Sequence, residues 1–265
     1  MYGPLPITGK YLRYYLTASN GKGHGVHSPF VFDFIRHVLR DKKVYDDYAA
    51  IESQRKKALL DERMLTIDDL GAGSTSIRST ERKLNDIARS SLKSPKYAQL
   101  LYRVAKRYGP KTILELGTSL GITTAYLAKA DPNAKIITAE GASAIATIAR
   151  ENFSALSLNN VELVEGDFAK TLPGILQENQ SIDMAFIDGN HRKEPTLDYF
   201  NQILDHCHQE SILVFDDIHW SAGMEAAWEQ IKEHPRVTLT IDLFFMSFVF
   251  FNSDINHKQD FLIRF

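Results

Sequence analysis

Between Ser94 and Asp217 the chain repeats one pattern: a short apolar run closing on an acid, then a helical segment. The acids are Glu115, Glu140, Asp167, Asp188 and the pair Asp216-Asp217. Alternation of this kind predicts a parallel α/β sheet, because each strand must be recrossed by a helix before the next can run the same way. After a further helix over 224–233 the pattern changes. Residues 237–242 and 246–251 are apolar runs separated by a short turn, which predicts an antiparallel hairpin at the end of the sheet.

Residues 113–124 read Ile-Leu-Glu-Leu-Gly-Thr-Ser-Leu-Gly-Ile-Thr-Thr. This is a strand, a glycine turn and the start of a helix over 123–130. Gly117 and Gly121 allow a sharp turn and a close backbone approach to a ligand, and the helix start offers free N–H groups. Glu140 follows Gly117 by 23 residues, near the separation of ~20 between a dinucleotide loop and its ribose-binding acid. Asp167, in a Gly-Asp strand end, suits either an adenine amino group or the cap of the next helix. The stretch resembles the first motif of class I S-adenosylmethionine-dependent methyltransferases, E/D-x-G-x-G-x-G, with Ser119 at the middle glycine. That resemblance implies a cofactor site of Glu115, Gly117, Thr118, Ser119, Gly121, Glu140, Gly141, Asp167 and Asp188. It also implies a Rossmann-like sheet of seven strands in the order 3-2-1-4-5-7-6, mostly parallel, with an N-terminal helical cap.

Asp188 ends the fourth run, and Asp216 and Asp217 end the fifth, 28 residues on. Adjacent parallel strands place these ends side by side. Three carboxylates in one place repel one another unless a cation lies between them, and oxygen ligands favour Mg2+, Mn2+ or Ca2+ over zinc. Together the motifs resemble the metal-dependent O-methyltransferases of the catechol, caffeoyl-CoA and macrolide-sugar groups, over about residues 95–251. The catechol group has a lysine three residues after the first Asp, where this chain has His191. The macrolide-sugar pattern, Asp-x-x-His and Asp-Asp, fits better. The resemblance implies a metal held by Asp188, Asp216 and Asp217, with Asp188 and His191 in the catalytic centre. A neutral imidazole suits His191 as general base. His219 and Trp220 either line the acceptor pocket or cap the next helix.

The chain has 265 residues and a net charge of −2, which hides an asymmetry. Residues 1–107 hold 20 Lys+Arg against 11 Asp+Glu, and residues 108–265 hold 11 against 22. Such a basic N-terminal part either attracts an anionic acceptor, a carrier or nucleic acid, or packs against the acidic half. Cys207 is the only cysteine, so no internal disulfide forms. No run of ~18 apolar residues predicts a membrane span, and the default is a cytoplasmic protein. A homodimer is left open.

The expected division is a helical cap or lid over 1–94 and a methyltransferase domain over 95–265. Helices are expected over 11–17, 30–39 and 46–63, with Ser28-Pro29 and Ser94-Pro95 as helix starts. Residues 20–27, with three glycines and two histidines, read as a mobile lid or ligand loop. Residues 64–80, including Gly71-Ala72-Gly73-Ser74, read as a loop over the active site, and 74–82 as a surface strip or an anion contact. The implied reaction is methyl transfer from S-adenosylmethionine to a hydroxyl of a small or carrier-bound acceptor, assisted by Mg2+ or another divalent cation. Its rivals are metal-independent methylation, RNA methylation, NAD-dependent oxidoreduction and non-catalytic cofactor binding. The glycine spacing and the terminal hairpin speak against NAD.

Overall fold

A proline that cannot donate an N–H, set right after an extended residue, opens three of the helices. In the computed structural model of the chain, which describes residues 2–19, 21–23, 27–69, 78–255 and 257–265, Pro4 opens α1 (Pro4–Thr17) and Pro29 opens α2 (Pro29–Phe34). Ser28 caps α2 as expected, its hydroxyl accepting from the Val31 N–H. A π-helical turn, Ile35–Leu39, continues α2. The chain divides into two compact units: Met1–Lys42 with Asn179–Phe265, and Lys43–Glu178. Neither coincides with the expected 1–94 and 95–265.

The second unit begins with α3 (Asp47–Leu60), which buries Tyr48, Ile51, Arg55 and Ala58 and leaves Lys56 and Lys57 exposed. Two strands follow, β1 (Met64–Asp69) and β2 (Arg78–Lys83), paired antiparallel from Met64 opposite Lys83 to Asp69 opposite Arg78. This corrects the expected loop over 64–80. Residues 70–77, including the Gly-Ala-Gly-Ser run, lie outside the described residues, as do Asn20, His24, Gly25 and Val26 of the expected lid. Asp86 lies in α4 (Leu84–Ser91), and α5 (Pro95–Tyr108) ends at Gly109 with φ +61°. Ser94 precedes α5 as expected, but its side chain makes no capping bond.

Then the alternation sets in. The elements are β3 (Thr112–Leu116), α6 (Ile122–Ala130), β4 (Lys135–Glu140), α7 (Ser143–Ala155), β5 (Val161–Glu165) and α8 (Phe168–Glu178). β4 pairs parallel with both β3 and β5. α6 is apolar around nearly its whole circumference and is buried accordingly.

The first unit resumes with β6 (Met184–Ile187), α9 (Lys193–Leu204), β7 (Ile212–Asp216) and α10 (Ala222–Glu233). It ends with β8 (Leu239–Asp242), β9 (Met246–Phe250) and β10 (Gln259–Leu262). β6 runs parallel to β7, and β9 lies antiparallel between β7 and β8, which is the expected hairpin. β10 then adds parallel to β8. The two stretches reproduce the 3-2-1 and the 4-5-7-6 portions of the expected order. With β10 the α/β strands number eight rather than seven. Among the described residues, no helix is long and apolar enough to cross a membrane.

Candidate functional site

In the second unit, the turn after β3 is shaped by three residues at positive φ: Gly117 (+110°), Ser119 (+48°) and Gly121 (+74°). A Cβ on Gly121 would run into the Phe153 ring and stand 3.3 Å from the Ala149 Cβ. Only glycine meets both demands there. The Gly117 and Thr118 N–H groups both donate to the Ala139 carbonyl, at 3.0 and 3.1 Å. Asn152 of α7 donates to the Leu120 carbonyl at 2.8 Å, and the Ser91 hydroxyl of α4 lies 2.8 Å from that of Ser119. These two anchors have no motif of their own, so the sequence did not single them out.

Glu140 ends β4 against this turn. Its Oε2 accepts from the Ser119 N–H at 2.8 Å and its Oε1 from the Ala142 N–H at 3.0 Å. Burial raises its pKa, against the opposing pull of the N–H groups of Ala142, Ser119 and Gly141. A carboxylate offers about four lone-pair directions, so each oxygen keeps acceptor capacity after bracing the turn.

Glu115 stands elsewhere. It is fully buried, and its Oε2 accepts from the hydroxyls of Thr124 in α6 and Thr138 in β4. The Thr118 and Thr138 hydroxyls are 2.6 Å apart, so the chain of contacts reaches the turn itself. Oε1 has no hydrogen-bond partner among the described residues. Burial pushes the pKa up to about 7, with the two threonine hydroxyls opposing it and Glu140 adding to it. Glu115 thus braces the turn from within. Asp167 does what its second reading held: its Oδ1 accepts from the Ala169 N–H at 3.1 Å, and its carbonyl accepts from Lys170 and Thr171 at the start of α8.

In the first unit, Asp188 leaves β6 and Asp216 closes β7. The turn between Asp188 and His191 reverses through Asn190 (φ +67°) and His191 (φ +20°). Asn190 is fixed by donating to the Tyr199 hydroxyl at 3.0 Å and accepting from Arg192 Nε at 3.1 Å. The reversal brings His191 Nε2 to 3.6 Å from Asp188 Oδ1. One ligand atom each from Asp188, His191 and Asp216 lie within 4.8 Å of one another. Asp217 does not join this group. Consecutive residues leaving a strand point to opposite sides, and Asp217 has itself turned to φ +52°. The two carboxylates suit Mg2+ or Mn2+, while the imidazole nitrogen shifts the O, O, N donor set toward Mn2+, Fe2+ or Zn2+.

His219 has a third occupation. Its Nε2 lies 2.9 Å from Asp242 and its Nδ1 3.2 Å from Glu225, and its ring stacks on Phe244 at 4.9 Å. Burial pulls its pKa down, but Asp242 and Glu225 outweigh that, so the net shift is upward. The cap of α10 is Ser221, whose hydroxyl accepts from the Met224 N–H. The Trp220 carbonyl accepts from the Tyr2 N–H at 2.9 Å.

Residues 114–218 match the model of a family described as a methyltransferase domain. Over 128 residues the chain is 32% identical to a catechol O-methyltransferase of Niastella koreensis, covering 47% of this chain and 57% of that protein. Over 147 residues it is 29% identical to the O-methyltransferase imqG of Aspergillus flavus, covering 53% and 57%. The chain spans a little over half the length of these curated relatives. The crystal structure of an O-methyltransferase from Bacillus cereus in complex with SAH matches with a TM-score of 0.57 at 21% identity, over 80% of this chain and 93% of that one. At that identity the likeness concerns the fold.

Proposed function

We propose that this chain, which carries the class I methyltransferase fold and a methyltransferase domain at residues 114–218, transfers a methyl group from S-adenosylmethionine to an acceptor hydroxyl. The observation that carries this reading is the grouping of Asp188, His191 and Asp216 at the ends of β6 and β7. The names of the two relatives above, both O-methyltransferases, support oxygen as the acceptor atom.

The donor belongs to the turn Gly117, Thr118, Ser119, Gly121 and to Glu140 and Gly141, with Asp167 at the adenine end through the carboxylate oxygen that does not cap α8. Glu140 would accept from the two ribose hydroxyls with the lone pairs that Ser119 and Ala142 leave open. Glu115 keeps the turn in shape through Thr124 and Thr138. When bound, S-adenosylmethionine supplies an electrophilic methyl, and a divalent cation lowers the pKa of the acceptor hydroxyl. Asp188 and Asp216 would hold that cation and orient the oxygen. His191 would take the proton that the acceptor hydroxyl releases.

A second reading of His191 follows from the same 4.8 Å grouping: its nitrogen is a third ligand to the cation rather than the base. The two are separated by measuring metal affinity in His191→Ala. Loss of rate at saturating Mn2+ with unchanged affinity supports the base, and loss of affinity supports the ligand.

The acceptor is small or carrier-bound and anionic, a reading supported by the basic first 107 residues and the exposed Lys56 and Lys57 of α3. Acceptor binding should then weaken as salt rises, and further on charge reversal of both lysines. Indifference to both changes would remove this part. RNA is the acceptor only if the protein shifts RNA with a steep salt dependence.

A further inference from the structure

α1 has two opposite apolar faces, and the first unit uses only one of them. Tyr14 and Ala18 are buried with Phe244, and Ile7 and Leu262 pack against them. At 3.6 residues per turn, Leu5, Leu12 and Leu16 share a stripe on the other side of the helix from Tyr14. They are 85%, 58% and 72% exposed. An exposed Leu alone means little, but three on one stripe of one helix form a patch.

The helix is held so that this stripe stays outward. The Tyr14 hydroxyl donates to the Ile263 carbonyl at 2.5 Å and accepts from the Phe265 N–H at 3.2 Å. The Ser19 N–H donates to the Leu262 carbonyl at 2.8 Å. Lys10 pairs with Glu225 at 2.8 Å, and the Tyr2 hydroxyl donates to the same carboxylate at 2.8 Å. One exposed aromatic ring, Tyr15, adjoins the stripe, whereas Tyr11 packs on Tyr14 and Phe244 of the buried face. Cations flank it. Arg13 lies on one side, and the Arg264 guanidinium lies 5.0 Å from the Tyr15 ring centre on the other. Residues 1–32 contain Lys10, Arg13 and Lys22 and no Asp or Glu.

We propose that α1 docks this protein onto an anionic lipid surface, lying in the plane of the interface. At 14 residues the helix is far too short to span a bilayer, which takes ~20. Leucines on one side, Tyr15 at the boundary and an arginine on each flank match how an interfacial helix partitions. The charge decides between occupants. A second copy of α1 would present the same cations and no acid to meet them. A lipid surface needs no such partner, and its negative charge complements Arg13 and Arg264 on the two flanks of the stripe.

The test is flotation of the purified full chain with vesicles of phosphatidylglycerol and phosphatidylcholine, against vesicles of phosphatidylcholine alone. Binding should be at least about tenfold tighter to the anionic vesicles and should fall as salt rises. The double substitution Leu12→Glu with Leu16→Glu should abolish it at an unchanged melting temperature, since both side chains are exposed. Arg13→Glu should weaken it about tenfold without touching the apolar stripe. Equal binding to both vesicle types, or binding to neither, overturns the proposal. So does a dimer in sedimentation that Leu12→Glu dissolves, because the second copy is then the occupant. Capture by an acidic protein with no affinity for vesicles overturns it in the same way.

Discussion

His191 Nε2 stands 3.6 Å from Oδ1 of Asp188, the residue three places before it. That separation rests on a backbone reversal through Asn190 and His191 at positive φ, a conformation that asparagine tolerates better than most residues. His191→Ala should therefore lower turnover by roughly a hundredfold or more, the usual size of a general-base contribution. Stopped assays at saturating metal and donor check this. A loss of less than about threefold would remove His191 from the chemistry.

Glu140→Ala removes the acceptor for the Ser119 and Ala142 N–H groups and, in the proposed role, the ribose partner. Calorimetry should show S-adenosylhomocysteine binding weakened by at least about a hundredfold, since two hydrogen bonds to a charged group are lost. The conservative Glu140→Gln separates the two roles. It keeps one acceptor oxygen for the turn but loses the charge, and should fall between wild type and Glu140→Ala. Unchanged binding in both variants would place the ribose elsewhere.

Glu115 makes folding stability depend on pH. Its folded pKa lies near 7, raised from 4.5 by burial. The folded chain keeps a proton that the unfolded chain releases, so this contribution is complete below pH ~4.5 and is lost as pH rises through ~7. Its full size is on the order of 3 kcal/mol, from 1.36 kcal/mol per pKa unit. Urea unfolding of the cofactor-free protein at pH 5 and pH 8 should show the fall, and Glu115→Gln should flatten it. An equally steep profile in Glu115→Gln would assign the pH dependence to other groups.

Gly121→Ala introduces a Cβ where the Phe153 ring lies and asks alanine to adopt φ +74°. The expected cost is about 1–2 kcal/mol of stability from the backbone alone, and more from the clash. Adding Phe153→Leu should recover the steric part only. Full recovery would show that the positive φ imposes no cost at this turn.

The strand ends were legible because each apolar run between 113 and 216 stops at an acid, and the hairpin because 237–251 is almost continuously apolar. β10 was not, since Gln259–Leu262 is short and only partly buried at the sheet edge. β1 and β2 escaped for a related reason: Arg-Ser-Thr-Glu-Arg-Lys carries no apolar alternation at all. The carboxylates of Asp188 and Asp216 were legible from strand spacing. That His191 rather than Asp217 completes their group was not, because it depends on backbone reversals after each strand. Glu115 shows the same limit from inside: its place in the motif was visible, but its burial beneath the turn depends on Thr124 and Thr138 arriving from other elements.

The central claim is a divalent cation held by Asp188 and Asp216 that assists methyl transfer, and metal titration of the chelator-stripped protein tests it most directly. Mn2+ followed by electron paramagnetic resonance should give one bound ion per chain. Asp216→Asn should lose that ion while S-adenosylhomocysteine binding stays nearly intact, because the proposed donor site is the turn after β3 with Glu140. EDTA should abolish turnover, and Mg2+ or Mn2+ should restore it. No stoichiometric ion, together with a rate indifferent to EDTA, would contradict the account and leave methylation without a metal.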